Sequence, residues 1–185
     1  MNNITILNFS SRKNGNCSYI SQFIQSKYEN SCVNAYTVVQ RIGPCNNCDY
    51  ECLQPGKCCP NVTDYLKQIM ESALNSGLIY FIIPNFCGGP CASYYAFNER
   101  IVGYFGMDRG LRGQYMSIKK RFIIVSNTEG QLFDLAMQQQ TNDEPDVLYL
   151  KSGKYGKRSI AGDILESEMA QADLEQFLAA YAPEP

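Results

Sequence analysis

Ile4-Thr5-Ile6-Leu7-Asn8-Phe9 followed by Ser10-Ser11-Arg12-Lys13-Asn14-Gly15-Asn16-Cys17-Ser18 is the stretch that decides the fold. The apolar run with its β-branched members has the composition of a buried strand. The Ser/Asn/Gly cluster behind it ends that strand and leads into the helical spacing Ile20, Phe23, Ile24. The opening N–H groups of such a helix lack an acceptor within the helix and carry the positive end of its dipole, which attracts phosphate. Ser10, Ser11, Asn14, Asn16 and Ser18 add hydroxyl and amide donors, Arg12 or Lys13 adds charge, and Gly15 lets the backbone turn tightly against a ligand. The loop reads as a phosphate cradle, against the plainer alternative of a β-to-α loop whose Ser and Asn merely cap the helix.

The rest of the chain repeats the strand-to-helix alternation. Val33, Tyr36, Val38 and Val39 suggest a second strand, and the segment 43–60 breaks all periodicity with five of the nine cysteines. Val62, Tyr65, Leu66, Ile69, Met70 and Ala73 follow helical spacing up to Gly77. Leu78 to Ile83 is an unbroken apolar strand of the kind covered on both faces. Pro84 to Pro90 forms a loop, Tyr94, Phe97, Ile101 and Tyr104 mark a helix, and Gly106 to Lys120 reads as a polar, basic connector. Arg121 to Val125 is the fourth strand, Leu132, Leu135 and Ala136 begin a helix, and Val147 to Leu150 is the fifth strand. A last helix carries Leu165, Met169, Leu174, Phe177 and Tyr181. Strands alternating with helices over residues 1–185 predict one α/β domain: a parallel sheet between two helical layers, built from right-handed βαβ units, with a Cys-rich loop at 43–60. Ligands of such sheets bind beyond the carboxyl ends of the strands. The loops 10–18, 84–89 and 126–130 fall at such ends.

Composition narrows the chemistry. A formal net charge of −2 gives no electrostatic case for nucleic acid or an anionic membrane. Leu78 to Ile83 is too short to span a bilayer, and no signal peptide is read before the first strand, so a cytoplasmic location is expected. Histidine is absent, which removes Ser–His and Cys–His catalysis, His-ligated metals and imidazole acid–base work. An enzyme of this composition leaves the hard chemistry to a bound cofactor. Neither G-x-G-x-x-G nor G-x-x-x-x-G-K-[ST] occurs, so a Ser/Asn-rich loop for one terminal phosphate suits FMN better than NAD or ATP.

At these residues the chain resembles the flavodoxin-like FMN-dependent NAD(P)H oxidoreductases, including NADPH-dependent FMN reductases and iron–sulfur flavoproteins. Ser10 to Ser18 is similar to the family's G-S-x-R-x-x-G-x-[TS] loop, with Ser10 at the usual Gly position and Cys17 where Thr is common. Pro84, Asn85, Phe86, Cys87, Gly88 and Gly89, followed by Phe97-Asn98-Glu99-Arg100, resemble the P-x-Y loop and F-x-[DE]-R helix whose loop backbone meets the isoalloxazine edge. Ser126, Asn127 and Glu129 stand where the third flavin loop lies.

The resemblance implies a five-stranded sheet of order 2-1-3-4-5 with FMN on those loops. It further implies hydride transfer from NADPH or NADH to FMN, a small-molecule or redox-protein acceptor as in FMN or quinone reductases, and a homodimer or higher homo-oligomer. The alternative is a flavodoxin-like or iron–sulfur electron carrier without a small-molecule substrate of its own. A third class is a cluster- or thiol-based redox sensor.

Iron–sulfur flavoproteins also place a compact cysteine motif after the second strand, as Cys45, Cys48, Cys52 and Cys58 are placed here, with three residues rather than two between Cys48 and Cys52. These four are candidates for a [4Fe–4S] cluster, Zn²⁺ or a redox dithiol, against a set of unliganded thiols. Cys17, Cys87 and Cys91 lie in or beside the cofactor loops, where a helix N-terminus would lower a thiol's pKa. Arg109, Arg112, Lys119, Lys120 and Arg121 would face NADPH phosphates or an acidic partner, or form a solvated connector.

Overall fold

A computed structural model describes residues 3–39, 42–45, 48–61, 63–128, 130 and 132–181, the side chain of Asp64 excepted. The strands are β1 (Ile4–Asn8), β2 (Val33–Thr37), β3 (Leu78–Phe86), β4 (Gly89–Pro90), β5 (Lys119–Ser126) and β6 (Asp146–Lys151). The helices are α1 (Asn16–Lys27), α2 (Asp64–Leu74), α3 (Ala92–Phe105), α4 (Arg109–Ser117), α5 (Phe133–Gln138) and α6 (Glu168–Ala179). The main sheet is parallel in the order β2-β1-β3-β5-β6, so the expected 2-1-3-4-5 arrangement is present once the short β4 is set apart.

Side chains alternate across the sheet with the period of two that a strand imposes. Leu7, Ile79, Phe81 and Ile83 meet α2, α3 and α5 on one face, while Ile6, Tyr80, Ile82 and Ile123 meet α1 and α6 on the other. Thr63 caps α2, its hydroxyl accepting from Leu66 N at 3.2 Å.

Several elements differ from the sequence reading. β3 does not stop at Ile83: it runs through Pro84 to Phe86 and folds back on β4 through Cys87 and Gly88, both at positive φ, which is the geometry of a two-residue hairpin turn. The basic connector contains α4, capped by Asp108, whose carboxylate accepts from Leu111 N at 2.9 Å. Tyr115 is its buried residue, while Arg109 and Arg112 face solvent and disguise the helix as a linker. In α5 the buried residues are Phe133, Ala136 and Met137, not Leu132 and Leu135, which are exposed.

Lys120 and Arg121 are core residues at the start of β5, the sheet edge opposite to loops 10–18 and 84–89, so the readings as a solvated connector or as a phosphate-facing patch both fail for them. Lys120 is 2 % exposed, and its ammonium donates to the carbonyls of Tyr115 and Ile118 and lies 4.3 Å from the Tyr115 ring centre. Burial lowers its pKa to about 7, against a smaller opposing pull from Asp143. Between that value and the ordinary lysine pKa near ~10.4, the unfolded chain holds a proton that the folded chain does not, so this group makes stability rise with pH. Cys17 acts in the opposite sense above about pH 9, because burial keeps its thiol neutral in the fold. The difference between wild type and Lys120→Met therefore isolates the lysine. Urea midpoints near pH 7 and near pH 9 are expected to show a larger gain in wild type than in the variant; equal gains would exclude a buried, deprotonating Lys120.

Candidate functional site

The loop 9–15 is ordered mainly by its own side chains. Asn8 Oδ1 accepts from Ser10 N at 2.9 Å, and Ser10 Oγ accepts from Arg12 N at 3.3 Å. Ser18 Oγ donates to Arg12 O at 2.7 Å and accepts from Asn8 Nδ2 at 3.3 Å. Gly15 starts α1 in an extended conformation with no side chain to cover the helix end. Its carbonyl takes the N–H groups of Ser18 and Tyr19; among the described residues no backbone carbonyl takes those of Asn16 and Cys17.

A second segment, 157–163, is strapped across this loop. Asn16 Nδ2 donates to Ser159 O at 2.9 Å while Asn16 Oδ1 accepts from Ile164 N at 2.9 Å, and Arg12 Nη2 donates to Ile160 O at 2.6 Å. Gly162, at φ +82°, passes so close that a Cβ would stand 3.0 Å from Asn14 O. Asn16 and Ser18 thus hold the loop in shape, and the donors left to face a ligand are the first N–H groups of α1, the Ser11 hydroxyl and the remaining guanidinium N–H groups of Arg12.

A cavity of about 560 Å³ opens here at the carboxyl ends of β1, β3 and β5. Of the residues predicted for a cofactor, Ser10, Ser11, Arg12, Asn16, Cys17, Pro84, Asn85 and Phe86 line it. Asn14, Ser18, Cys87, Gly88, Gly89, Ser126 and Asn127 lie outside that lining, and Glu129 lies outside the described residues. Phe9, Gly15, Val39, Cys91, Ala92, Ser93, Val125, Ser159 and Ile160 complete the wall. Ser159 and Ile160 were missed, although the segment after β6 obeys the same strand-end rule that selected the other loops. The wall is largely apolar, and its Phe86 and Ile160 are 64 % and 61 % exposed. Ser93 Oγ donates to Phe9 O at 3.0 Å and Cys91 Sγ to the same carbonyl at 3.4 Å, so the start of α3 fixes the end of the β1 segment.

Asn85 ties the second loop to the third. Its Nδ2 donates to Ser126 Oγ at 2.6 Å and to Thr128 Oγ1 at 3.2 Å. Its Oδ1 is buried and, among the described residues, has no hydrogen-bond partner, a deficit of about 1–3 kcal/mol.

Thiols divide by environment. Burial, reinforced by neighbouring Cys91, pushes Cys17 up to about 12, so desolvation overrides the helix N-terminus that would have activated it. Cys87 stands exposed at the hairpin turn. Brief iodoacetamide treatment of the native protein at neutral pH is expected to label Cys87 and spare Cys17, read by peptide mass spectrometry; equal labelling would contradict the burial of Cys17.

In the cysteine-rich loop, Cys58 faces solvent and Cys59 is buried against α3, where a Cβ on Gly103 would come within 3.0 Å of its Sγ. Burial, then the nearby thiols of Cys59, Cys48 and Cys45, raise the pKa of Cys52. Cys58 is not in that group. Among the described residues no three His, Cys, Asp or Glu side chains converge as metal ligands, so the metal set Cys45, Cys48, Cys52 and Cys58 anticipated from spacing has no support in this arrangement. Their arrangement gives a [4Fe–4S] cluster no support: the adjacent Cys58 and Cys59 turn to opposite environments, and only Cys59 lies near Cys52.

The strand order, with a cavity at the ends of the central strands, defines the flavodoxin-like fold. Neither a family model nor a curated protein matches the sequence. Solved structures do match over nearly the whole chain. The Trp repressor binding protein of Bacillus subtilis is 18% identical with a TM-score of 0.59, covering 95% of this chain and 99% of its own. A candidate quinone reductase of Klebsiella pneumoniae is 11% identical with a TM-score of 0.63, covering 100% of this chain and 87% of its own. RosB with bound 8-demethyl-8-formylriboflavin-5'-phosphate is 13% identical with a TM-score of 0.54, covering 100% and 91%. At these identities the likeness is one of fold. Among the described residues no helix is long and apolar enough to cross a membrane.

Proposed function

We propose that the chain is an FMN-dependent NAD(P)H oxidoreductase. One observation carries this reading: a single cavity joins an uncapped helix N-terminus with serine donors to an apolar slot ending at the tips of β3 and β5. That combination suits a ligand with an anion at one end and a flat, largely apolar ring at the other. The cavity's charged side chain is Arg12, which favours a phosphate over a cation. RosB, of the same fold, holds a riboflavin 5'-phosphate derivative, and the candidate quinone reductase supports a redox activity.

When bound, FMN supplies the two-electron chemistry that a chain without histidine does not supply itself. The chain's own contribution is positional. Ser11 and the first N–H groups of α1 hold the phosphate, Pro84 to Phe86 set the ring's edge, and Val39 and Val125 keep water from its surroundings. The rim between Phe86 and Ile160 receives the nicotinamide donor and then the acceptor, a quinone or another flavin. A homodimer or higher oligomer fits the exposed Tyr95 and Leu132, which lie beside Gly89 in the hairpin that carries Phe86.

Titrating apoprotein with FMN and riboflavin tests the reading, because only FMN carries the anion. At least tenfold tighter FMN binding, followed by bleaching of the flavin's visible band with NADH or NADPH, is expected. Tight FMN binding without reduction by either nucleotide would identify an electron carrier instead. Absence of flavin binding would overturn the assignment.

A further inference from the structure

We propose that Cys52 and Cys59 form a redox-active dithiol that closes to a disulfide by exchange with small-molecule disulfides, at a site apart from the cavity. Gly103 and Gly106, at the end of α3, leave room for two pieces of the Cys-rich loop. A Cβ on Gly103 would stand 3.0 Å from Cys59 Sγ and 3.1 Å from its Cβ, and one on Gly106 would stand 3.0 Å from the Cys52 carbonyl oxygen. Residues three apart on a helix lie on one face, roughly 5 Å apart along its axis. The two cysteines are thus laid side by side against the end of α3. Between them the chain reverses through the turn Glu51–Leu53 and through Gly56 at φ +73°, with Gln54 N donating to Glu51 O and Lys57 N to Gln54 O.

A disulfide joins residues whose Cα atoms stand about 4.4–6.8 Å apart, a span that an offset of one helical turn supplies. Both residues are buried, and the thiols that raise the Cys52 pKa act in the order Cys59, Cys48, Cys45, which makes Cys59 the strongest partner. Cys58 faces solvent instead. In the exchange, one thiolate of the pair attacks a sulfur of the external disulfide, expelling one thiol and leaving a mixed disulfide. The second thiol gives its proton to water and attacks the protein sulfur of that intermediate, expelling the other thiol. The pair loses two electrons and two protons, and the external disulfide is reduced to two thiols. Neither cysteine lines the cavity, so the site does not rest on the flavin reading.

The test equilibrates the native chain, first reduced and desalted, with glutathione disulfide, blocks free thiols with N-ethylmaleimide and digests it without reduction. Cleavage after Glu51 and Lys57 places Cys52 on one peptide, Cys45 and Cys48 on a second, and Cys58 and Cys59 on a third. Mass spectrometry is expected to find Cys52 joined to the third peptide at least about fivefold more often than to the second, with the link lost in dithiothreitol. Cys58→Ser, a change at an exposed side chain, is expected to keep the link and so assign it to Cys59. The wild-type pairing is read without any variant in the core. Cys52 left free or capped by glutathione, Cys52 joined chiefly to Cys45 or Cys48, or a link that Cys58→Ser abolishes would each overturn the assignment.

Discussion

Replacing Asp146 with alanine is expected to cost about 3 kcal/mol of stability, whereas Arg121→Met, which removes the other half of the same pair, costs within about 1 kcal/mol. Arg121 is 1 % exposed, its Nε donates to Asp146 Oδ2 at 2.6 Å, and its guanidinium carbon lies 3.7 Å from the ring centre of Phe177. The two residues are direct partners across β5 and β6. Nη1 is buried and has no acceptor among the described residues, so the guanidinium already stands short of one bond. Removing the carboxylate leaves a desolvated cation with no anion opposite it, the situation that typically costs about 3–5 kcal/mol. The lower end applies because the Asp146 side chain is one-third exposed, and water at its edge screens the pair. Methionine at position 121 keeps an apolar stem against Phe177 and needs no partner, while the freed Asp146 carboxylate is reached by water. For a chain of this size 3 kcal/mol moves Tm by roughly 6–12 °C. Urea midpoints for both variants decide the matter: an Arg121→Met chain destabilised as much as Asp146→Ala would show that the charge pair itself, rather than the stranded cation, sets the cost.

The same pair shows why part of the fold was legible in the sequence and part was not. β1, β3 and their loops announce themselves because a strand covered on both faces must be apolar throughout, and Ile4 to Phe9 and Leu78 to Ile83 have almost no other reading. Lys120 and Arg121 open an equally buried strand with two cations, which local pattern assigns to solvent. What buries them are partners far along the chain, Asp146 and Phe177, or carbonyls at the end of α4. Residues 10–18 read as a ligand loop from composition and line the cavity in part, yet the roles of their side chains are not legible there. Asn16 looked like a phosphate donor and is committed to Ser159 and Ile164, which are 143 and 148 residues away. The strap that uses it has no periodicity and no motif. In α5 two leucines at plausible spacing pointed to the wrong face, since so short a helix is oriented by Phe133 against Tyr149 rather than by its own pattern. The cysteines were countable from the sequence, but whether Cys58 or Cys59 turns inward depends on the space left by Gly103 on a separate helix.

Ser11→Asp is expected to weaken FMN binding by more than a hundredfold while leaving riboflavin binding within about threefold of wild type. Ser11 is exposed, lines the cavity and makes no hydrogen bond to the rest of the chain among the described residues, so the fold does not depend on its hydroxyl. A carboxylate in its place stands against the phosphate rather than the ring. At a separation of about 4–5 Å and an effective dielectric near 20, each unit of phosphate charge meets a repulsion of about 3–4 kcal/mol, equivalent to a factor of several hundred. Riboflavin has no charge there and feels only a small change in shape. Because the loop is open to water, part of the loss is expected to return as salt rises from low to molar concentration and the Debye length falls from about 30 to about 3 Å. Fluorescence titrations at two ionic strengths, with Tm measured alongside, separate the alternatives. Equal losses for FMN and riboflavin would mean that residue 11 acts on the ring or on folding. An unchanged FMN affinity would place the anion elsewhere than at the start of α1, and the serine loop would then be what its composition alone also allowed, a helix entry held in shape by its own hydrogen bonds.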